Sequence, residues 1–196
     1  RNEPVIKVKR IMHRNDPIIL GCPPLKPPAS ITSSYVMRAA SIWNELEHLG
    51  IPGIKGVWHM KAGGSRLITV ISVEQKYAGH AKQVAMAAMS GAEGANFGRF
   101  VIVVDDDIDP TNDEDVLWAV ATRCDPATAI EIITGCWSSP LDSTIPPEKR
   151  ARGDLSNSRA IILACRPFHW RKDFPRVNRA SDELRAVVQK KWSHLF

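Results

Sequence analysis

Apolar side chains recur every three or four residues in three stretches of the chain, and this spacing predicts amphipathic helices. The first helix is predicted over 33–49, with Gly50 as its stop. The second, over 113–124, begins with acidic residues and ends with an arginine, which suits the helix dipole. The third, over 181–195, starts with a serine suited to capping. Its apolar stripe consists of Leu184, Val187, Val188, Trp192 and Leu195.

Apolar runs lie between these helices and predict strands. RFVIVV, at 99–104, is the clearest, because the five apolar residues that follow its arginine without interruption are typical of a strand covered on both faces. An Ala- and Met-rich helix is predicted before it, over 79–92. Strand, helix and strand in succession indicate a right-handed crossover. The other strands are predicted at 54–61, 66–75, 129–135 and 159–165.

This order of elements predicts an α/β fold, with a mixed, largely parallel sheet flanked by helices in three layers. A length of 196 residues suits a single domain, 1–196. Five prolines within 17–28 exclude a helix there, so 1–30 is predicted to be an extended opening segment. A second irregular stretch, 138–158, is longer than most loops of compact domains, and loops of that length are usually functional or disordered.

Composition narrows the class of protein. With 44% hydrophobic and 24% charged residues the chain is an ordinary globular protein, and no apolar run approaches the roughly 20 residues that span a bilayer. RNEPVIKVKR, at the start, contains no apolar signal region, and we expect the chain to be a segment of a longer protein. The cysteines lack paired spacing, which favours reduced thiols and a cytoplasmic location. They are Cys22, Cys124, Cys136 and Cys165.

The net charge of +5 is concentrated in two segments, 1–14 and 148–191. One interpretation is a self-standing binding module for an acidic partner or nucleic acid, and the aromatic and basic residues at 168–176 would suit single-stranded nucleic acid. No RNA-binding or helix-turn-helix signature accompanies them. We therefore favour the other interpretation, that the two segments are simply solvated, and expect no specific nucleic-acid binding.

An acid run follows the RFVIVV strand. The carboxyl end of a buried strand is where α/β proteins place ligands and hard metals, and neighbouring carboxylates can also form a catalytic pair. A calcium loop is excluded because no Gly or Glu stands at the required offsets. A third possibility is that the carboxylates cap the next helix and pair with basic residues, and the residues alone favour this one. The acid run consists of Asp105, Asp106, Asp107 and Asp109.

Isolated histidines and cysteines form no metal or nucleophile pattern. His59 and His169 have no second ligand nearby in the sequence, which disfavours zinc. His80 begins a predicted helix, where capping or packing is the commoner role. Cys136 would need a base and a lowered thiol pKa to act as a nucleophile. None of them is assigned a catalytic role.

Two strings carry a resemblance to a known family. RFVIVVDDDIDPTNDEDVLWAVATRCDP and YAGHAKQVAMAA resemble the C-terminal domain of the UbiD family of decarboxylases, which use prenylated FMN, and the similarity extends over roughly 15–193. The resemblance implies reversible decarboxylation of aromatic, heteroaromatic or α,β-unsaturated acids. It also implies an upstream domain that binds prenylated FMN, Mn²⁺ and K⁺ and supplies a Glu-Arg-Glu catalytic trio. No stretch of this chain resembles those motifs.

The resemblance therefore implies that this chain is inactive alone and holds no catalytic, cofactor-binding or metal-binding residue. It also places the acid run at a strand-to-helix turn, without a catalytic role. In this family the C-terminal domain typically dimerises, with its last helix reaching across to the neighbour. We accordingly expect a homodimer through 181–195, packed also against the upstream flavin-binding domain.

A substrate-facing wall is the remaining implication. In the related fungal ferulic acid decarboxylases a Phe-Pro-Leu segment after the ATRC helix covers the substrate, and here the matching residues are Ser139, Pro140 and Leu141. Trp137 would add an aromatic ring, although an ordinary core tryptophan is an equal alternative. The predicted wall consists of Trp137, Ser139, Leu141 and Ile31. A phosphate-contacting lysine of those relatives is replaced here near Ala92 and Glu93, where a glutamate would repel phosphate.

Overall fold

The computed structural model describes residues 4–19, 26, 34–96 and 98–195, with side chains omitted for 34 and 35. The described chain forms five strands and seven α-helices, joined by short 3₁₀ turns. The strands are β1 (Ile54–His59), β2 (Ile68–Val73), β3 (Phe100–Asp105), β4 (Ile130–Trp137) and β5 (Ser156–Ala164). The helices are α1 (Ser34–His48), α2 (His80–Ser90), α3 (Ala92–Ala95), α4 (Asp113–Arg123), α5 (Pro126–Ala129), α6 (Pro147–Ala151) and α7 (Asp182–Lys191).

The five strands form one mixed sheet in the order β1-β2-β3-β5-β4. The three central strands, β2, β3 and β5, are parallel, whereas β1 and β4 are antiparallel to their neighbours. The predicted strand-helix-strand unit is present as β2-α2-β3, with the two strands adjacent and parallel. The prediction of a mixed, largely parallel sheet is confirmed.

Helices cover both faces of the sheet. On one face α1 and α2 contribute Ile42, Leu46 and Val84 to a core that includes Ile71 and Val103 of the sheet. On the other face α4 packs Val116 and Ala119 against alternate residues of the same strands. Successive residues of a strand point to opposite faces, so both cores draw on β3, and FVIVV, at 100–104, is apolar throughout for that reason. The three-layer prediction is confirmed.

The predicted elements match the observed ones within a few residues at each end. α1 ends where predicted, since Gly50 follows it with a φ of 70°, a left-handed conformation that glycine adopts without strain. β5 begins at Ser156, three residues before the predicted strand. Its early part is polar and pairs with the end of β4, which an apolar pattern does not reveal.

The two ends of the chain contribute little to either core. Residues 4–19 contain no helix or strand and are exposed. α7 and the 3₁₀ turn Ser193–Leu195 form the predicted C-terminal helix, and every described residue from 181 onward is exposed. Within the described parts of the chain no helix combines the length and apolarity needed to cross a membrane.

Candidate functional site

The parallel strands give the sheet two chemically different edges. β2, β3 and β5 all begin at one edge, called here the amino edge, and end at the other, the carboxyl edge. β4 runs antiparallel to β5 and pairs Trp137 with Ser156, the first residue of β5. The end of β4 and the loop after it therefore lie at the amino edge. The acid run follows β3 and lies at the carboxyl edge.

A local irregularity in β4 sets the position of Trp137. The register with β5 shifts between Ile133 and Cys136, and Gly135 in this interval has a φ of 72°. Such a bulge redirects the side chains that follow it. Trp137 is 60% exposed, so the alternative of an ordinary core tryptophan is wrong. Its contact with a substrate stays a prediction.

The loop after Trp137 is anchored by one buried carboxylate. Asp142 accepts hydrogen bonds from Ser138 Oγ at 3.1 Å and Asn157 Nδ2 at 2.9 Å. It also accepts a hydrogen bond from the backbone N–H of Thr144 at 3.0 Å. In addition, it forms an ion pair with Arg99. Burial opposes ionisation, but these hydrogen bonds hold the pKa of Asp142 well below its usual range.

This anchoring presents the other predicted wall residues to the outside. Between buried Ser138 and Asp142, Ser139 is half-buried and accepts a hydrogen bond from the backbone N–H of Leu141 at 3.2 Å. Leu141 is 74% exposed. Ile31, the fourth predicted wall residue, lies outside the described residues.

A buried arginine ties the end of β4 to the helices beside it. Arg159, on β5, donates to the carbonyl oxygens of Met89 at 3.1 Å and Gly94 at 2.6 Å. It also donates to the carbonyls of Ala95 and Trp137. Burial lowers the pKa of this guanidinium, and the carbonyl oxygens compensate part of that cost by accepting its hydrogen bonds. The α2 and α3 ends and the backbone of Trp137 are thereby held at one point.

An apolar cleft of about 300 Å³ opens beside this arginine. Trp137 lines it together with Met86, Met89, Ile133 and Cys136, among others. Ser139 and Leu141 belong to the same loop but do not line the cleft. The structure thus brings Trp137 to a cavity wall and leaves Ser139 and Leu141 on the exposed side of the loop.

The place matching the family lysine also lies at the amino edge. α3, just before β3, contains Ala92 and Glu93, and Glu93 Oε2 lies 3.8 Å from Arg38 Nη1 of α1. His59, at the end of β1, is buried nearby in sheet order, and burial followed by repulsion from Arg38 lowers its pKa to about 4. At the position of the family lysine, Glu93 therefore provides a carboxylate and no positive charge. His59 does not replace that charge, because its lowered pKa keeps the ring neutral near pH 7.

The carboxyl edge is organised around Asp105, which is 1% exposed. Its carboxylate accepts hydrogen bonds from Gln75 Nε2 at 2.7 Å and from Arg123 Nη1 at 3.0 Å. Arg166 donates twice, from its backbone N–H at 2.7 Å and from Nε at 3.0 Å. One carboxylate therefore joins the ends of β2, β3, β5 and α4.

Asp107 completes this network. Both terminal nitrogens of Arg123 donate to its carboxylate at 2.8 Å, a bidentate pair. These bonds, with Arg166 3.5 Å away, keep the pKa of Asp107 below its ordinary value. The predicted pairing of the acid run with basic residues is confirmed. Among the described residues no three His, Cys, Asp or Glu side chains are arranged to hold a metal ion.

The capping half of that prediction needs correction. Asn112, not an aspartate of the run, caps α4 by accepting hydrogen bonds from the backbone N–H groups of Glu114 and Asp115. Asp109 instead accepts hydrogen bonds from the backbone and hydroxyl of Thr111 and shapes the turn. Asn is as good a cap as Asp, and its position directly before the helix was the available signal.

The isolated histidines and cysteines have ordinary surroundings. His80 is buried, accepts a hydrogen bond from the backbone N–H of Lys76 at 3.2 Å and packs on Tyr77, so it is a packing histidine as expected. His169 is exposed. Burial raises the pKa of Cys165. Cys136, half-buried, donates only to the carbonyl of Ile133.

Sequence reasoning missed Asp142 and Arg159, which hold the amino edge together. Asp142 precedes Ser and Thr, a pattern that often forms a local turn, and this was a usable signal. Arg159 stands between the polar start of β5 and its apolar run, where nothing in the sequence marks it as a buried charge. Those partners lie more than sixty residues earlier for α2 and α3.

A family profile described as the 3-octaprenyl-4-hydroxybenzoate carboxy-lyase C-terminal domain, UbiD_C, matches residues 32–164, more than half of the chain. The chain belongs to the UbiD family. The UbiD domain is 34% identical over 146 residues to the phenolic acid decarboxylase of Bacillus subtilis (strain 168), covering 72% of this chain and 30% of that protein.

Solved structures agree with this assignment. HmfF, a UbiD-class enzyme from Pelotomaculum thermopropionicum in complex with FMN, has a TM-score of 0.67 at 26% identity, covering 81% of this chain and 33% of its own. An evolved dimeric form of HmfF in complex with prFMN has a TM-score of 0.57 at 26% identity, covering 81% of this chain and 30% of its own. The vanillic acid decarboxylase of Sedimentibacter hydroxybenzoicus in closed form has a TM-score of 0.65 at 28% identity, covering 80% of this chain and 32% of its own. The UbiD domain thus spans about a third of the length of these relatives.

Proposed function

We propose that this UbiD domain is the substrate-covering and dimerising part of a prenylated-FMN-dependent enzyme that reversibly decarboxylates aromatic or heteroaromatic carboxylic acids. The observation that supports this best is the family match over residues 32–164, in a chain that spans about a third of its relatives. The amino edge adds to it, because the two places matched to family contacts, near Glu93 and at Trp137–Leu141, lie at the same edge of the sheet.

The exposed part of the amino edge is suited to cover a ring. Trp137 offers an aromatic face and Ser139 a hydroxyl, and both are supported from behind by buried polar anchors. An aromatic ring and a hydroxyl at the same edge of the sheet suit a substrate that carries a phenol or a ring heteroatom. Leu141, and Ile31 outside the described residues, would add apolar surface to this wall.

The chemistry itself is assigned to the upstream domain. Prenylated FMN, with Mn²⁺ and K⁺, would supply the electron sink for decarboxylation there, next to the Glu-Arg-Glu trio. The described residues of the UbiD domain do not fit the flavin phosphate at the family lysine position, because Glu93 presents a carboxylate that is only partly offset by Arg38 at 3.8 Å. No catalytic step is therefore placed on this domain, and we propose that it acts in the cytoplasm as part of the longer chain.

A paired experiment tests this division of labour. The complete enzyme is assayed with phenolic and heteroaromatic acids, as the parent sequence and as Trp137→Ala, while the 196-residue chain is assayed alone. We expect the Trp137→Ala enzyme to lose kcat/KM by roughly tenfold or more, through KM as well as kcat, and the chain alone to be inactive. Decarboxylation or stoichiometric flavin binding by the isolated chain would show that the division is wrong.

α7 is proposed to mediate the homodimer. Its stripe is exposed along the whole helix, including Leu184, Val187 and Trp192, and Leu195 beyond it is 68% exposed. Burying apolar surface contributes about 25 cal/mol per Å², from which the costs of association are subtracted. A second copy of the domain presents the same stripe, so a two-fold arrangement would bury both.

Sedimentation at micromolar concentration tests the dimer. We expect a species of twice the 21.7 kDa chain mass that becomes monomeric when the residues after Arg179 are deleted. A 21.7 kDa monomer that is unchanged by this deletion would contradict the proposal. This result is independent of the decarboxylation assay.

The nucleic-acid alternative has less support. In the 168–176 segment Trp170 packs on Phe174 with ring centroids 5.0 Å apart, and the guanidinium of Arg171 lies 5.3 Å from the ring centre of Phe168. These rings contact one another and a neighbouring cation, which leaves less face for stacking with bases. We propose only weak, salt-sensitive contact with nucleic acid.

A further inference from the structure

A cavity of about 550 Å³ lies at the carboxyl edge, between the acid-run turn, α4 and the segment that leads into α7. Cations dominate its lining, and the only carboxylates among its lining residues are Asp107 and Asp115. The cations are Arg123, Arg166, Arg171, Lys172, Arg176, Arg179 and Arg185. We propose that this cavity is a binding site for a phosphate monoester of nucleotide size.

The charges of the cavity are not balanced by the protein. Arg123 and Arg166 are neutralised by Asp105 and Asp107. Asp115 accepts a hydrogen bond from the backbone N–H of Asp109 at 3.0 Å. The other five cations have no carboxylate within ion-pair distance among the described residues. An anion that enters the cavity therefore meets several unpaired cations and displaces none from an existing ion pair.

One of these cations is already held in place. Arg171 donates from Nη1 to the carbonyl oxygen of Gln75 at 2.9 Å and lies over the ring of Phe168. Gln75 in turn donates to Asp105, so the rigid network of the carboxyl edge extends to this side of the cavity. A guanidinium that is fixed before binding loses less entropy when it binds a ligand.

The number and type of cations select the ligand class. Guanidinium groups match phosphate oxygens in a two-pronged geometry, and a phosphate monoester carries close to two negative charges. Trp118, 39% exposed and with the guanidinium of Arg123 5.2 Å from its ring centre, adds apolar surface to the wall, and the volume lies within the roughly 300–1,000 Å³ of small-molecule sites. A ring attached to the phosphate fits this surface.

The position of the cavity agrees with the general behaviour of α/β proteins. Ligands of open α/β sheets bind beyond the carboxyl ends of parallel strands, which is where β3 and β5 end beside Arg166. The proposed substrate wall lies at the opposite edge. Occupation of the anion site is thus independent of the wall and of the proposed decarboxylase function.

Calorimetric titration of the 196-residue chain with AMP, inorganic phosphate and adenosine tests the site. We expect AMP to bind at one site, inorganic phosphate more weakly and adenosine not at all at the same concentrations. The double variant Arg176→Ala/Arg179→Ala is expected to weaken AMP binding by at least about tenfold, since each charge-assisted hydrogen bond is worth roughly a decade of affinity. Both residues are exposed, so the fold is retained, and thermal unfolding confirms this.

The matched control is Lys7→Ala/Lys9→Ala. It removes the same charge from the exposed opening segment, away from the residues that line the cavity. Equal loss of affinity in the two double variants would overturn the proposal, because binding would then reflect net charge alone. Absence of AMP binding at millimolar concentration would overturn it as well.

Two further titrations separate the sources of the anion. Trp118→Ala is expected to weaken AMP and not inorganic phosphate, and if it weakens neither, the ring is not recognised and the nucleotide part of the proposal is wrong. A single-stranded oligonucleotide that binds more tightly than AMP, and loses affinity equally in both double variants, would replace the proposal with general binding by the basic segments.

Discussion

At the carboxyl edge Asp105 is bound by Gln75, Arg123 and Arg166. At the amino edge Asp142 is equally buried, yet Trp137 before its loop and Leu141 within it are exposed. Both edges use a buried carboxylate with arginine partners. At the carboxyl edge the network closes a strand-to-helix turn. At the amino edge it supports apolar side chains that are largely exposed.

The difference shows why a conspicuous sequence feature is a poor guide to a site. The acid run is conspicuous because it concentrates negative charge, but in the structure Asp105 and Asp107 are bound by arginines of the same chain. The amino-edge loop resembles an ordinary irregular polar stretch, although Trp137 before it and Leu141 within it expose apolar surface that another domain could cover. The upstream flavin domain is the surface that we propose for this role.

Removal of Asp105 is expected to have the largest effect on stability. Asp105→Ala leaves Arg123, whose side chain is 1% exposed, with Asp107 as its remaining carboxylate, and it also removes the acceptor of Arg166 and Gln75. Breaking a buried pair in this way costs about 3–5 kcal/mol. Urea unfolding measures the loss. Asp106→Ala is the control, because Asp106 is more exposed and its single ion-pair contact among the described residues, with Arg166, is long at 3.9 Å. A similar loss of stability in Asp106→Ala would contradict the central role assigned to Asp105.

The corresponding change at the amino edge is Asp142→Ala. It leaves the buried hydroxyl of Ser138 without its acceptor and Arg99 without its carboxylate, while Asn157 keeps only its hydrogen bond to Ser138 Oγ, and the expected cost is about 2–4 kcal/mol. Because Asp142 accepts from the backbone N–H of Thr144 and anchors the loop, the amide protons of Leu141 and Thr144 should also exchange with solvent faster than the loss of global stability alone would cause. Asp154→Ala, on an exposed turn, should change neither quantity.

Acid should weaken the amino edge first. His59 is buried and its pKa is lowered to about 4, whereas in the unfolded chain it titrates near 6.5. Between these two pKa values the unfolded state binds a proton that the folded state does not bind. The free energy of unfolding therefore falls by roughly 2–3 kcal/mol as the pH decreases from about 6.5 to 4. The lowered pKa of buried His80 acts in the same direction.

Unfolding curves at several pH values test this slope. His59→Gln should flatten it, and His169→Gln, at an exposed position, should not. Asp107 and Asp142 have depressed pKa values, so the stability that they contribute is present above pH 4 and is lost only at lower pH. If the slope between pH 6.5 and 4 persists in His59→Gln, the histidine does not cause it.

Local pattern was sufficient to predict the strands and the long helices, because helix and strand periods are set by neighbours along the chain. The short helices α3, α5 and α6 were not predicted, and α6 lies within the stretch 138–158 that was expected to be irregular. α1, α4 and β3 follow directly from apolar spacing and from terminal charges. The networks at the two edges were beyond that reasoning. Arg159 meets carbonyls of α2 and α3, and Asp105 meets Arg166 sixty-one residues later, so their roles exist only after the sheet has formed.

The candidate wall was predictable only in part. The resemblance gave Trp137, Ser139 and Leu141, and the structure adds their anchors and their exposure. It does not add the substrate contact, which depends on a surface contributed by the rest of the enzyme. For α7 the sequence pattern predicted the apolar stripe. It could not predict what covers the stripe, because the proposed partner is a second copy of the chain.

The smallest effect on stability is expected at the residue with the most direct proposed role. Trp137 is 60% exposed, and Trp137→Ala should change the free energy of unfolding of the isolated domain by less than about 1 kcal/mol, because little of its ring is buried. Met86→Ala, on the same cleft and about half exposed, is the matched control. If Trp137 covers the substrate, only Trp137→Ala should lower kcat/KM of the complete enzyme, and Trp137→Phe should restore part of it. A loss of several kcal/mol in Trp137→Ala would instead make Trp137 part of the fold, and the contrast between the two edges would disappear.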